Sequence, residues 1–324
     1  MPASELQPLT VYGCSISYFT GKLENYFRLR GIDYDYKPMQ FPADQRRFER
    51  EVGVSQMPVM SLGDGRWMTD TTYIIQWFEK QYAEHPLLPE DPVLRFVSLL
   101  IEDYADEWLW RPAMHYRWHY DQGAYFASRS IADECLADMS APGVLKRWNI
   151  RRRQRGGYTT GDGITPQNVA GVEAIYLDLL EQLEAIFSNR AFLLGERPSL
   201  ADVGLSGPFF RHFGLDPVPL EIMRQRAPAG LEWVARLWNT RLERCTGELM
   251  SEMTDDLMPL LQDIGQVYLP YLNHNARAVA ADRKVFDVEV GGVSYREARY
   301  SRYRVFCLQE LRNRFREIAE ADKP

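Results

Sequence analysis

Three prolines, Pro86, Pro89 and Pro92, separate two hydrophobic rhythms that one layer architecture does not accommodate. Before them, apolar positions switch back and forth between strand and helix periods; after them, the periods are mostly helical and the segments longer. Such a chain folds as an α/β unit followed by a helical unit, with the proline-rich stretch as linker. At about 100–200 residues per domain, 324 residues fit two domains. The boundaries are 1–85 for the first and 92–324 for the second, with 255–324 an extension of it.

Within the first unit, Leu9 to Tyr12 is a short apolar run ended by Gly13, as in a buried strand. Leu23, Tyr26 and Phe27 then recur at helical spacing, and Gly31 stands where a left-handed glycine stops a helix. Ile32 to Lys37 alternates as a second strand. The polar stretch around Pro42 reads as loop or short helix, and MPVMSLGDGRWMT as two strands joined at Gly-Asp-Gly. Asp70 precedes the amphipathic TTYIIQWFEKQY. The order is β-α-β-(α)-β-β-α. In the second unit, helical periods cover 93–120, 168–188, 200–213, 231–240 and 258–281, with a Gly- and Arg-rich connection near RRRQRGGYTTGDG. KVFDVEVGGVSY alternates on both sides of Gly291-Gly292, a hairpin signal, and REARYSRYRVFCLQELRNRF reads as a closing helix.

Composition narrows the function classes. The 45% hydrophobic and 26% charged content is that of a globular chain able to bury a core without staples. A formal charge of −7 disfavours nucleic acid as a partner. No run of 18 apolar residues predicts a membrane span, and MPASELQPLTVYG carries no basic n-region. The expected setting is cytoplasmic. Cys14, Cys135, Cys245 and Cys307 form no CxxC, which argues against a zinc ribbon or a dithiol pair.

Two segments carry binding chemistry. In Gln56-Met57-Pro58, a cis proline would turn the Met57 backbone outward, where an extended peptide can pair with it like an added strand. Asp70-Thr71 opens a helix, where orphan N–H groups and the Thr71 hydroxyl can hold a carboxylate. The plain alternatives are a turn proline and an N-cap.

In three stretches the chain resembles the cytosolic glutathione transferase family: SISYFTGKLENYFRLRGIDYDY; SQMPVM followed by DGRWMTDTTYIIQWFEKQY; and FLLGERPSLADVGLSGPF. The resemblance covers most of the chain and weakens after Thr254. It implies a thioredoxin-like N-terminal domain, an all-helical C-terminal domain with an extended tail, and glutathione as co-substrate. It further implies that Gln56, Met57 and Pro58 carry the tripeptide and that Asp70 and Thr71 grip its γ-glutamyl end. Aligned on Lys22 and Gly31, Ser17 falls where serine-type members place the hydroxyl that activates the thiol, and Thr20 where cysteine-type members place a nucleophile. A thiol attacks as thiolate, and a hydroxyl together with a helix N-terminus favours the charged form. Tyr12 and Tyr18 stay open as tyrosine-type alternatives.

The resemblance also implies that the first long helix of the second domain lines the electrophile pocket, making Trp108, Tyr116 and Trp118 candidates, against the alternative that they pack the interdomain core. It implies a homodimer as well. His115 and His119 are four apart but lack a third ligand, so no metal is expected. The arginines at 151–153 and 155 read as a solvated loop, and Ser199-Leu-Ala-Asp202 as a structural capping box. The expected activity is thiolate attack on an apolar or aromatic electrophile. The rival is a non-catalytic binding or interaction module of the same fold. A thiol-disulfide oxidoreductase would depend on Cys14.

Overall fold

The computed structural model describes residues 6–82 and 84–318. Its first domain runs β1 (Thr10–Gly13), α1 (Tyr18–Arg30), β2 (Asp35–Pro38), α2 (Ala43–Glu51), β3 (Val59–Ser61), β4 (Trp67–Thr69) and α3 (Thr71–Glu79). The sheet order is β2-β1-β3-β4, with β1 parallel to β2 and the other pairs antiparallel. The β-α-β-α-β-β-α order of elements is the one expected for the thioredoxin-like domain, and the shifts lie at element ends. Strand β2 starts late because Gly31, at φ 64°, and the Ile32 N–H bonded to Phe27 O still belong to the closure of α1.

Helix α1 is the hinge of the packing. Leu23, Tyr26 and Phe27 face the sheet core with Val11 and Met60, all buried. The second domain runs α4 (Pro92–Glu107), α5 (Trp110–His119), α6 (Asp121–Cys135), α7 (Gly143–Gln154), α8 (Val169–Phe187), α9 (Leu200–Pro208), α10 (Pro217–Arg226) and α11 (Pro228–Asn239). Helices α4 and α9 cross closely. A Cβ on Gly204 would lie 2.7 Å from the Glu102 Cα, so only glycine permits this approach.

The structure divides the expected helix over 93–120. The Trp108 and Leu109 N–H groups both turn to Tyr104 O, and a new helix starts at Trp110. Pro112 sits in the first turn of α5, where its missing N–H leaves no bond unmade. The arginine-rich connection is not a loop: Arg151, Arg152 and Arg153 end α7, and a π turn follows over Arg155–Thr159.

The tail contains α12 (Met258–Asp263), α13 (Leu269–Ala280), the hairpin β5 (Val285–Val290) and β6 (Val293–Arg299), and α14 (Arg302–Glu317). The hairpin turns at Gly291-Gly292, whose φ values are 56° and 71°. Residues 296–299 belong to β6, so α14 starts later than its sequence suggests, where the Ser301 hydroxyl accepts from the Arg304 N–H. The tail lies against the outer side of α4. Trp108 packs edge-on to Tyr271 and Tyr295; the Tyr268 hydroxyl donates to Asp103 at 2.5 Å; Arg304 binds Glu107 at 3.0 Å.

Candidate functional site

A cavity of about 570 Å³ opens between the domains at the N-terminus of α1. Ser17, Gln56 and Met57 line it from the first domain; Trp110, Met114 and Trp118 line it from α5. These three recur at i, i+4 and i+8, so they share one helix face. Phe19 stacks on Trp110 and Tyr158 meets its edge, which makes this wall aromatic. Arg153, Gln154 and Asn149 of the α7 region add polar groups to the lining.

Ser17 is the N-cap of α1. Its hydroxyl oxygen accepts from the Thr20 N–H at 3.4 Å, and its backbone is extended before the helix begins. The preceding carbonyl, Ile16 O, accepts from Arg117 Nη1 at 2.7 Å. Arg117 is itself held by Asp216 through Nε, at 2.8 and 3.1 Å. Burial pushes the Asp216 carboxyl up to about 6, against the pull of Arg117. This buried pair fixes the turn that presents Ser17. Sequence reasoning missed it because the two residues lie far apart in the chain.

Thr20 takes a different position. It is buried, and a Cβ on Gly13 would lie 2.4 Å from its Oγ1, so the hydroxyl is pressed against the end of β1. The phenols are also committed elsewhere. Tyr18 OH donates to Ala105 O at 2.5 Å, and burial raises its pKa. Tyr12 packs among Phe48 and Trp67.

The Met57–Pro58 peptide bond is cis. Pro58 O accepts from the Thr69 hydroxyl at 3.1 Å, and Gln56 Nε2 donates to that same hydroxyl at 3.0 Å. Thr69 thus joins the cis-proline segment to Asp70. Asp70 caps α3, accepting from the N–H groups of Thr72 and Tyr73. Its φ of 71° is costly for a residue with a side chain, about 1–3 kcal/mol. Thr71 is buried. Asp70 lines a second, smaller cavity of about 280 Å³ with Tyr73, Glu107, Tyr303 and Phe306. The Tyr303 hydroxyl of α14 donates to Asp70 Oδ2 at 2.9 Å. Behind this cavity, Lys22 is buried between Glu102 at 2.6 Å and Asp106 at 2.5 Å. Burial works against its charge, but the two carboxylates outweigh burial and keep it protonated.

Of the aromatic candidates, Trp118 lines the larger cavity, but Trp108 and Tyr116 do not. Trp108 is buried against the tail, and Tyr116 packs on Tyr176 and Tyr120. The break before Trp110 resets the helical register, which turns Trp110 inward instead. His115 stacks on His119, and its Nε2 meets Glu173 at 3.0 Å. Among the described residues, no group of three His, Cys, Asp or Glu is arranged to hold a metal. Among them, no helix is long and apolar enough to cross a membrane.

Cys14 and Cys135 both line the larger cavity and share one buried apolar cluster.

Residues 11–86 match the glutathione S-transferase N-terminal domain, and residues 169–240 match the glutathione S-transferase C-terminal domain. A glutathione S-transferase of Triticum aestivum is 30% identical over 91 residues, 28% of this chain and 42% of that protein. A probable maleylacetoacetate isomerase of Caenorhabditis elegans is 28% identical over 78 residues, 22% of this chain and 36% of that protein. The chain therefore aligns with less than half the length of these relatives. Among solved structures, the β-etherase LigF of Sphingobium sp. strain SYK-6 superposes with a TM-score of 0.49 at 18% identity, covering 71% of this chain and 95% of that one. The family's N-terminal and C-terminal domains are matched in order along one chain, and the chain belongs to the glutathione S-transferase family.

Proposed function

We propose that this chain is a glutathione transferase of the serine type. The observation that carries the reading is the Ser17 hydroxyl at the mouth of α1, on the wall of a cavity that Gln56 and Met57 also line. Glutathione lies along Gln56, Met57 and Pro58, with its γ-glutamyl end toward Asp70 and Thr71. An extended tripeptide spans about 10 Å, and Thr69 links the two parts of that path. The sulfur sits at Ser17. There the hydroxyl donates to the thiolate, and the partial positive charge of the helix N-terminus adds to its stability. The thiolate attacks an electrophilic carbon of an apolar or aromatic small molecule held by Phe19, Trp110, Trp118 and Tyr158, displacing a halide or an ether oxygen. Thr20 is the second choice for the hydroxyl. A homodimer in the cytoplasm belongs to the same reading.

One observation favours the rival, a glutathione-transferase-like binding module. The Tyr303 hydroxyl occupies Asp70, the residue meant to meet the substrate's γ-glutamyl end. Calorimetric titration with glutathione, followed by turnover of a chlorinated aromatic electrophile, separates the two. The transferase reading requires millimolar or tighter binding and thioether product. Saturable binding without product favours the module, and absence of binding contradicts the glutathione site itself.

A further inference from the structure

Cys14 follows β1 in the first domain and Cys135 ends α6 in the second. They are 121 positions apart, and a carboxylate between them explains their meeting. Glu134 accepts from the Ser15 N–H at 2.8 Å, from the Ser15 hydroxyl at 2.5 Å and from the Tyr36 hydroxyl. It also accepts from the Cys14 thiol at 3.6 Å. The neighbouring backbone is tied across the same seam: Phe41 N–H donates to Cys135 O at 2.9 Å, and Gln40 Nε2 donates to Glu134 O at 2.6 Å. The clasp brings Cys135 into the same buried cluster as Cys14, and both residues belong to the wall of the larger cavity. The Glu134 carboxylate beside Cys14 is a proton acceptor within reach of a thiol. The Cys14 sulfur beside the Cys135 thiol, then burial, pushes that thiol up, which favours its protonated form.

We infer that Cys14 and Cys135 form a dithiol pair that a small disulfide entering the cavity oxidises to an interdomain disulfide, with glutathione disulfide as the oxidant. Cys14 gives its proton to Glu134 and attacks one sulfur of the oxidant. The S–S bond of the oxidant breaks, a Cys14–glutathione mixed disulfide forms, and the departing glutathione thiolate takes the proton from Glu134. Cys135 then attacks Cys14 Sγ and yields its proton to the second departing glutathione. Two protein thiols are oxidised and one glutathione disulfide is reduced to two glutathiones. The choice of oxidant rests on the glutathione reading above; the pair itself does not.

The test is thiol mapping on the folded, full-length protein. Reduced protein is incubated with glutathione disulfide or, separately, with hydroxyethyl disulfide, then denatured in iodoacetamide, digested and weighed. The expected result is a peptide crosslinked through Cys14 and Cys135 that dithiothreitol cleaves, with titratable thiols falling from the four of the reduced chain to two. Cys135→Ser should halt the reaction at a glutathionyl adduct on Cys14. A crosslink with hydroxyethyl disulfide but not with glutathione disulfide upholds the pair and counts against the glutathione site. Recovery of Cys14 and Cys135 fully alkylated after both oxidants, or adducts confined to Cys245, overturns the pair.

Discussion

In the proposed reaction a single hydroxyl, that of Ser17, sets how much of the glutathione thiol is ionised. A hydrogen bond to a charged group contributes about 1.5–3 kcal/mol, so Ser17→Ala should lower kcat by about 10–100-fold with little change in the KM for glutathione. Thr20→Ala should leave turnover near that of the parent, because its hydroxyl is turned to Gly13. A steady-state comparison of the two variants checks this; the reverse ranking would move the activating role to Thr20. Asp216 carries a separate prediction. Its carboxyl ionises near 6 in the folded chain, above about 3.9 for an unfolded aspartate. The folded state therefore holds this proton more tightly, and the group's contribution to stability falls as pH rises from about 4 to about 6. Asp216→Asn should remove that part of the slope in denaturant midpoints measured between pH 4 and 8. An unchanged slope would show that another group is responsible.

The elements differ in how plainly they could be read. The β-α-β and β-β-α halves of the first domain were legible because strand and helix periods alternate between clear stops such as Gly13, Gly31 and Asp70. Helix α6 was not, because its buried face is Gly123, Ala124, Ala127, Ser128 and Ala132, too small to register as a hydrophobic stripe. The register of α5 was lost at the break beside Trp108, and with it the choice between Trp108 and Trp110 as cavity wall. The start of α9 was legible, but its capping box is larger than the motif implies. Asp202 accepts from the Ser199 N–H and hydroxyl, from the Leu193 N–H and from Trp233 Nε1. Asp202→Ala leaves those buried donors unmatched and should cost about 3 kcal/mol or more in a denaturation experiment, against about 0.5–2 kcal/mol for Ser199→Ala. Equal costs would reduce Asp202 to an ordinary cap.

Over the whole molecule, the tail is part of the fold and not an appendage. Arg304 reaches from α14 to Glu107 at 3.0 Å, to the Tyr271 hydroxyl at 2.9 Å and to Asp162 at 3.6 Å, all in buried surroundings. Removing a buried cation strands its carboxylates, so Arg304→Ala should destabilise the chain by about 3–5 kcal/mol. A loss under 1 kcal/mol in chemical denaturation would show that the tail packs independently of α4. The two-domain plan and the hairpin at Gly291-Gly292 were readable as local patterns. The seating of α14 beside Asp70 and the meeting of Cys14 with Cys135 were not, since both depend on contacts between distant segments.

The central claim is that Ser17 ionises the glutathione thiol, and the most direct measurement is the ultraviolet absorbance of the thiolate in the protein complex, titrated against pH. The parent chain should show an apparent pKa at least about one unit below the ~8.5 of a free thiol, and Ser17→Ala should return it toward that value. Identical titrations of the two complexes, with glutathione bound in each, would contradict the account.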